Sequence, residues 1–420
     1  MTRLSIGRDG TGQVSAGRWI APVLSVVGLV LIGVVTVSLL SGQIPFVPRS
    51  VSGNNGGVPI GGNGLPTVTP APSNVVVVPP EVITFQGSIV FAKAGNIWVQ
   101  TGKNAKQLTT GGNDSMPSWS PDGKTVYFIR SIDTTNGRWP AGGVVHDYEL
   151  LTPSVMSVRA DGSSSPATIL SGKVQRGNLL WHAWIREPVL SPDGHTLAIV
   201  SDRPQPDQSD VVLQFYDLVT HKTKIPNLSE APPLGHQDPT WRNDGKELLY
   251  VRNGRSGPRG AAAIWRWNVP AQKGSPVTGP GYLEPSYSPD GRFIAATKTN
   301  SFGNDVVILD ASSGREILSV TNDSSSWAPT WSPAGDAIAF LNLNGQIVDL
   351  KLARLDGTEP NWTVKDITNL TEFSGLDGES RPDWFIPTSE LPSPSPSPAA
   401  SGASAAPPGS QPAPSSSPAQ

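Results

Sequence analysis

The sequence contains no cysteine, so disulfide bonds, thiolate metal sites and lipidated cysteines are all excluded. Charged residues make up only 15% of the 420 residues, and 31 basic against 34 acidic side chains give a net charge of −3. Without an excess of positive charge, the chain has no electrostatic feature that favours nucleic acid as a partner. The lack of cysteine is compatible with either redox compartment.

Catalytic signatures are also missing. The sequence has no Gly-x-Ser-x-Gly elbow, no phosphate-binding Walker loop, no His-Glu-x-x-His motif and no EF-hand spacing. Its five histidines are scattered, so two of them would meet at a metal only through long-range folding. We therefore predict no catalytic residue, no cofactor and no metal ligand, and we favour a protein that is not an enzyme.

A seven-residue motif is repeated along the chain. Its complete form, Pro117-Ser-Trp-Ser-Pro-Asp-Gly123, ends in a tight turn in which proline fixes φ and glycine accepts the final conformation. An alternating apolar run such as 125–129 follows, so each copy predicts a strand, a turn and a second strand. The copies begin at Pro117, Pro188, Pro239, Pro285, Pro329 and Pro382.

The spacing of the copies indicates propeller blades. Pro117 and Pro188 are 71 residues apart, and Pro285 and Pro329 are 44 apart, with short β-like runs between copies. A small residue and then a bulky apolar residue follow each proline, which suits strands crowded around a narrow axis. Six copies predict six inner strands, although the last copy lacks the turn.

An apolar strand follows each complete copy. In this arrangement the copies resemble the PD40, or WD40-like, repeat of TolB-type β-propellers. The resemblance covers residues 81–387 and implies an all-β, six-bladed propeller of four-stranded blades that usually binds partners. It implies no catalytic residue, because the motif is structural. Residues 88–109 read as three strands without an inner strand, and we expect the last motif copy to pair with them and close the ring.

The N-terminal region lacks the repeat. Residues 1–18 are polar, and residues 19–41 are an uncharged apolar run long enough to cross a membrane as a helix. This run is longer than most signal-peptide cores and has no Ala-x-Ala-like end, so we expect an uncleaved anchor rather than a cleaved signal peptide. Three arginines precede it, which predicts a cytoplasmic N-terminus, a single-pass membrane protein and an extracytoplasmic propeller.

Two low-complexity segments flank the propeller. Residues 42–80 are predicted to be a flexible Gly/Pro-rich linker, and residues 388–420 a disordered Pro/Ser/Ala-rich tail.

The first full blade contains the largest insertion, which is one candidate recognition surface. Long loops on a rigid scaffold carry recognition, and aromatic side chains with polar groups are typical of binding hot spots. We predict that this loop contacts the partner. By contrast, we interpret Trp181 and Trp184 as strand residues or as cover for a blade edge. The candidate residues of the loop are Arg138, Trp139, His146, Asp147 and Tyr148.

The position before each motif proline is the second candidate. Three consecutive copies have a carboxylate there, Glu187, Asp238 and Glu284, whereas the last has Arg381. If the inner strands start at one level, the acids form an arc at the channel opening, with Arg381 elsewhere on the ring. Such an arc attracts calcium or basic ligand groups. The alternative is that each acid only accepts local backbone N–H bonds or stays solvated.

A scaffold rich in repeats and poor in catalytic motifs favours a non-catalytic binding module at the bacterial cell envelope. Its partner would be a protein or an envelope polymer. The alternative is an envelope hydrolase or lyase with its site at the channel mouth. A sensor coupled to the cytoplasm is disfavoured, because 18 residues leave no room for a domain there.

Overall fold

The computed structural model describes residues 85–206, 210–228, 235–254 and 262–391. These residues form an all-β, six-bladed propeller, which confirms the predicted fold class and blade number. The predicted anchor at 19–41 and linker at 42–80 lie outside the described residues, as does the tail after residue 391. No helix in the described ranges has the length and apolar composition needed to cross a membrane.

The described residues contain 26 strands and one short 3-10 helix, Thr388–Glu390. The first thirteen strands are β1 Ser88–Lys93, β2 Asn96–Thr101, β3 Asn104–Gln107, β4 Asp114–Trp119, β5 Thr125–Ala141, β6 Val144–Arg159, β7 Ala167–Ser171, β8 Lys173–Arg176, β9 Leu179–His182, β10 Ile185–Leu190, β11 Thr196–Ser201, β12 Val212–Asp217 and β13 Thr223–Lys224. The others are β14 His236–Trp241, β15 Glu247–Arg252, β16 Ala263–Asn268, β17 Lys273–Pro276, β18 Tyr282–Tyr287, β19 Phe293–Thr299, β20 Asn304–Asp310, β21 Glu316–Ser319, β22 Ser326–Trp331, β23 Ala337–Asn344, β24 Ile347–Thr358, β25 Asn361–Asn369 and β26 Asp383–Phe385.

Each blade is a four-stranded antiparallel sheet. Blades 1 to 5 use consecutive strands, β4–β7, β10–β13, β14–β17, β18–β21 and β22–β25. Blade 6 has the order β26-β1-β2-β3, with Trp384 of the last strand opposite Ile89 of the first. Strands β8 and β9 form a separate hairpin between blades 1 and 2.

The repeated motif forms the inner strand and the turn that follows it. In the first copy the Gly123 N–H donates to the Ser120 carbonyl at 2.9 Å, and the Ser120 hydroxyl donates to Asp122 at 2.6 Å. Gly123 has φ +66°, a conformation that glycine adopts without steric cost. The third copy keeps the turn despite its changed sequence, because the Gly245 N–H donates to the Arg242 carbonyl at 2.9 Å.

Apolar side chains from neighbouring blades pack together and hold the ring. For example, Leu249 and Ile264 of blade 3 share one buried cluster with Tyr287 and Ile294 of blade 4. Burying each such side chain contributes about 1.5–3 kcal/mol. The bulky motif residue therefore packs against the preceding blade, as its alternation along the strand requires.

A second repeated contact was not predicted from the sequence. In four blades a threonine after the outer strand accepts a backbone N–H near the start of the third strand, for example Val306 N–H to Thr321 Oγ1 at 2.9 Å. In blade 2, His236 Nδ1 accepts the Leu213 N–H at 3.0 Å instead. Burial, with a smaller effect of the Arg252 charge, lowers the pKa of His236 to about 3. The threonines are Thr109, Thr278, Thr321 and Thr371.

The insertion in blade 1 is a long hairpin, so its description as a loop was wrong. Strands β5 and β6 remain paired almost to the tip, with Arg138 opposite Asp147 and Trp139 opposite His146. The interpretation of Trp181 is confirmed, since it is a buried residue of β9. Trp184 lies outside any strand and is 60% exposed, so it is not a strand residue, and its role as cover for a blade edge stays a prediction.

Candidate functional site at the channel and its surrounding face

The residue before the motif proline lies in a β-bulge on each of the first five inner strands. The ladder skips two residues there, for example between Arg186 and Val189. Proline has no N–H to give to the ladder, so the irregularity falls at this position. A bulge redirects the side chain of the bulged residue. The bulged residues all have positive φ and are Met116, Glu187, Asp238, Glu284 and Ala328.

The bulges join one blade to the next through carboxylates. Glu187 accepts the backbone N–H of Asp238, and Asp238 accepts that of Glu284 at 3.1 Å. Glu284 in turn accepts the N–H of Ala328 at 2.8 Å. The three acids therefore do accept backbone N–H bonds, as the alternative interpretation stated, but the donors belong to the following blade rather than to the local strand.

Blade 6 continues this pattern with other side chains. Ser380 Oγ accepts the Met116 N–H at 3.0 Å, and Asp383 accepts the Trp119 N–H at 2.8 Å. Polar side chains that follow or precede a motif proline thus connect neighbouring inner strands around the channel.

Arg381 does not lie apart from the acids, which corrects the expectation from the sequence. Its backbone belongs to blade 6, but its guanidinium donates to the Pro285 carbonyl at 3.0 Å and to the Pro239 carbonyl at 3.2 Å. Those prolines are in blades 4 and 3, so the side chain crosses the channel. Its positive charge lowers the pKa values of Glu187 and the neighbouring carboxyls, opposing the effects described next.

Burial dominates the electrostatics of the acids. Burial, followed by the charge of Asp238, raises the pKa of Glu187 and of Glu284 to about 7. Burial also raises the pKa values of Asp238 and Asp383. Glu187 and Glu284 therefore change charge near neutral pH, and the positive charge of Arg381 opposes the effect of burial.

The channel at this level is narrow. Its cavity of about 70 Å³ is lined by Glu187, Asp238, Asp383 and Arg381, together with five of the six motif prolines. This volume accommodates a few water molecules but not a peptide or a sugar. In the part of the chain that the structure describes, no group of three or more His, Asp or Glu side chains is arranged to hold a metal ion.

The antiparallel order of the strands defines two faces of the ring. The Ser-Pro-Asp-Gly turns and the turns between third and fourth strands lie on one face, called here the motif face. The other, the bulge face, carries the starts of the inner strands, the turns between second and third strands and the connections between blades.

Large apolar side chains are exposed on the bulge face. Phe302 is 90% exposed in a turn of blade 4, and Phe373 is 72% exposed in the connection from blade 5 to blade 6. Trp184, at 60%, lies in the connection from blade 1 to blade 2. Neither phenylalanine is among the candidates predicted from the sequence, although each is a lone aromatic residue within a polar, glycine-containing segment.

The two predicted candidate sets lie in different blades. Glu187, Asp238 and Glu284 meet around the channel in blades 2, 3 and 4. The other set occupies the outer half of the β5–β6 hairpin, which extends from the bulge face of blade 1. Of that set, His146 and Asp147 are exposed. A role for either set in recognition stays a prediction.

The fold and channel define a six-bladed propeller, and comparison with solved structures agrees. TolB from Acinetobacter baumannii superposes with a TM-score of 0.50 at 18% identity, over 71% of this chain and 66% of that chain, just under two thirds of its length. A chain of the nidogen/laminin complex gives a TM-score of 0.48 at 11% identity, over 70% of this chain and 97% of that one. No protein-family model and no curated protein matches the sequence. The fold is thus TolB-like.

Proposed function

We propose that this chain is a non-catalytic binding module, with a protein as its favoured partner and an envelope polymer as the other candidate. In this proposal the segment 19–41 anchors it in the membrane, with the N-terminus in the cytoplasm and the propeller outside. Pairing of β26 with β1 closes the ring, so that the scaffold presents a fixed surface.

The observation that carries the proposal is the contrast between the two kinds of side chain on the bulge face. The channel carboxylates are bonded to backbone N–H groups and face a guanidinium, so they serve the scaffold. Aromatic side chains, by contrast, project into solvent from the turns and connections of this face. Exposed aromatic residues on a rigid scaffold are typical of a binding surface.

The predicted β5–β6 surface belongs to the same proposal. Replacing Trp139 and Tyr148 by Ala is expected to weaken partner capture and leave the melting temperature nearly unchanged, because both residues lie in the outer half of the hairpin. A large fall in melting temperature with normal capture would show that the hairpin tip is structural packing.

The proposal is tested by cross-linking the full chain in intact membranes and identifying the adducts. A reproducible protein adduct, retention in the membrane after alkaline carbonate and digestion of the propeller by external protease are expected. Complete extraction, or protection from external protease, would contradict the topology. The alternative, a hydrolase or lyase, predicts turnover of glycan or peptide substrates that Glu187→Gln abolishes, and we expect no such turnover.

A further inference from the structure

Phe302 is held outward by a turn with its own hydrogen bonds. Asn300 Oδ1 accepts the N–H groups of Phe302 at 2.7 Å and Gly303 at 3.0 Å. The Asn300 amide nitrogen also donates to Asp305 at 2.9 Å, which ties the turn to strand β20. A side chain that is 90% exposed is therefore presented by a fixed backbone rather than by a free loop end.

Phe373 is held in the same manner, at a cost in backbone strain. Asp349 accepts the N–H groups of Phe373 at 3.0 Å and Ser374 at 2.9 Å, and the Thr371 hydroxyl at 2.9 Å. Phe373 has φ +47°, a region that an aromatic residue rarely adopts. Strain of this kind, at a residue that is 72% exposed and adds nothing to the core, points to a functional constraint.

Polar contacts connect the two turns across blades 4 and 5. Asp305 accepts the Ser324 N–H at 2.9 Å, and the neighbouring Asp323 accepts the Asn342 amide at 2.9 Å. Asn342 is paired in register with Asp349, which holds the Phe373 turn. Leu343, 42% exposed, follows Asn342. We call Phe302, Leu343 and Phe373, with their turns, the Phe302–Phe373 sector.

The charge of this sector restricts its occupant. The carboxylates of Asp305, Asp323 and Asp349 hold the turns, and exposed Glu372 directly precedes Phe373. Negative charge around apolar anchors repels anionic lipid headgroups and favours a basic partner. A segment that combines large apolar side chains with lysine or arginine satisfies both features.

We propose that the Phe302–Phe373 sector binds an extended protein segment in which two large apolar side chains are flanked by lysine or arginine. This deepens the proposed function, on which it rests, by locating the contact away from the channel and by stating the chemistry of the partner segment.

The test uses purified full chain and a panel of labelled synthetic peptides of about a dozen residues. Each peptide contains two leucines, at a spacing that varies across the panel, and lysines that flank them. In the matched versions, either glutamate replaces each lysine or serine replaces each leucine. We expect the best Leu/Lys peptide to bind at least about tenfold more tightly than either matched version, measured by fluorescence anisotropy. The double variant Phe302→Ser, Phe373→Asn should bind it at least about tenfold more weakly than the parent.

Two controls separate binding from folding. The first control is Val219→Ser, because Val219 is 70% exposed on the motif face and lies outside the sector. This variant should bind the Leu/Lys peptide as tightly as the parent. Asn tolerates positive φ better than Phe, so Phe373→Asn should keep or raise the melting temperature while binding falls. A structural role for Phe373 would instead lower the melting temperature.

Several outcomes would overturn the proposal. The first is equal binding of the Leu/Lys and Leu/Glu peptides, and the second is unchanged peptide binding by the double variant. The third is that the chain binds no peptide but binds vesicles that contain phosphatidylglycerol, in a manner that depends on the two phenylalanines. If the double variant still forms the protein adduct in intact membranes, the sector is wrong while the proposed function stands. If no adduct forms with the parent chain, the proposed function itself fails.

Discussion

Replacing Arg381 by Gln should destabilise the propeller, and more so at alkaline than at acidic pH. The guanidinium crosses the channel to the Pro239 and Pro285 carbonyls and offsets the charge of the buried carboxyls. Gln is too short to reach both carbonyls and carries no charge. The variant therefore separates the hydrogen-bonding role of Arg381 from its electrostatic role.

The expected magnitude has two parts. Two hydrogen bonds from a charged group contribute about 3 kcal/mol together, and this part does not depend on the carboxyls. Loss of the positive charge should raise the pKa values of Glu187 and Glu284 further, by about one unit each, which adds about 3 kcal/mol once they ionise. Because the two groups are only partly ionised at pH 8, the free energy of unfolding should fall by about 3 kcal/mol at pH 5 and by about 5 kcal/mol at pH 8.

The sign of the pH effect follows from the direction of the pKa shifts. The pKa of Glu187 and Glu284 is about 7 in the folded protein against 4.5 in the unfolded chain. The folded state thus binds protons more tightly, so the stabilisation is complete below pH 4.5 and is lost as the pH rises through 7. Removing Arg381 steepens that loss, and the difference between parent and variant grows with pH.

Calorimetry at pH 5 and pH 8 measures both parts. At about 2 °C per kcal/mol, the melting temperature should fall by about 6 °C at pH 5 and about 10 °C at pH 8. Arg292→Gln is the matched control, because Arg292 pairs with Asp290 and Glu359 on the surface and its side chain is 64% exposed. That variant should lose less than about 1 kcal/mol at either pH. Equal losses for Arg381→Gln at the two pH values would refute the electrostatic role.

Four further variants test the scaffold by chemical denaturation. Gly314→Ala should lower the free energy of unfolding by about 3 kcal/mol or more, because φ is +69° and a Cβ would lie 1.8 Å from the Val277 carbonyl oxygen. Gly345→Ala is its control: φ is +67° but the space around it is open, so the free energy of unfolding should fall by about 1 kcal/mol. Thr321→Val should cost about 1–3 kcal/mol, because a buried N–H loses its acceptor. His236→Asn should lessen the loss of stability as the pH falls from 6.5 towards 3, because the lowered pKa of His236 keeps it neutral when folded while the unfolded chain takes up a proton. An unchanged pH profile in this variant would contradict that explanation.

The repeat made the fold predictable. Each motif joins a strand, a turn with fixed chemistry and a second strand, so local sequence determined the hairpins and their number determined the blades. The hydrogen bond that Thr321 and the equivalent threonines accept is harder to predict from the sequence. Its only sequence feature is a single threonine after an apolar residue at the end of the outer strand. Its replacement by His236 in blade 2 could not be predicted, because the donor N–H is distant in sequence.

The candidate site was predictable in position but not in geometry. Counting back from each proline identified Glu187, Asp238 and Glu284, yet their bonds to the next blade depend on bulges that sequence periodicity does not reveal. The reach of Arg381 depends on the width of the ring. The sequence favours a loop at the outer hairpin, because the pairing there continues far beyond the usual strand length of a blade.

Site-specific photo-cross-linking in intact cells tests most directly the claim that the propeller binds a partner through its bulge face. A photoreactive residue would replace Leu343 on the bulge face in one variant and Val219 on the motif face in the other. We predict a discrete protein adduct from position 343 and none from position 219. Adducts from position 219 alone, or from neither position, would contradict the account.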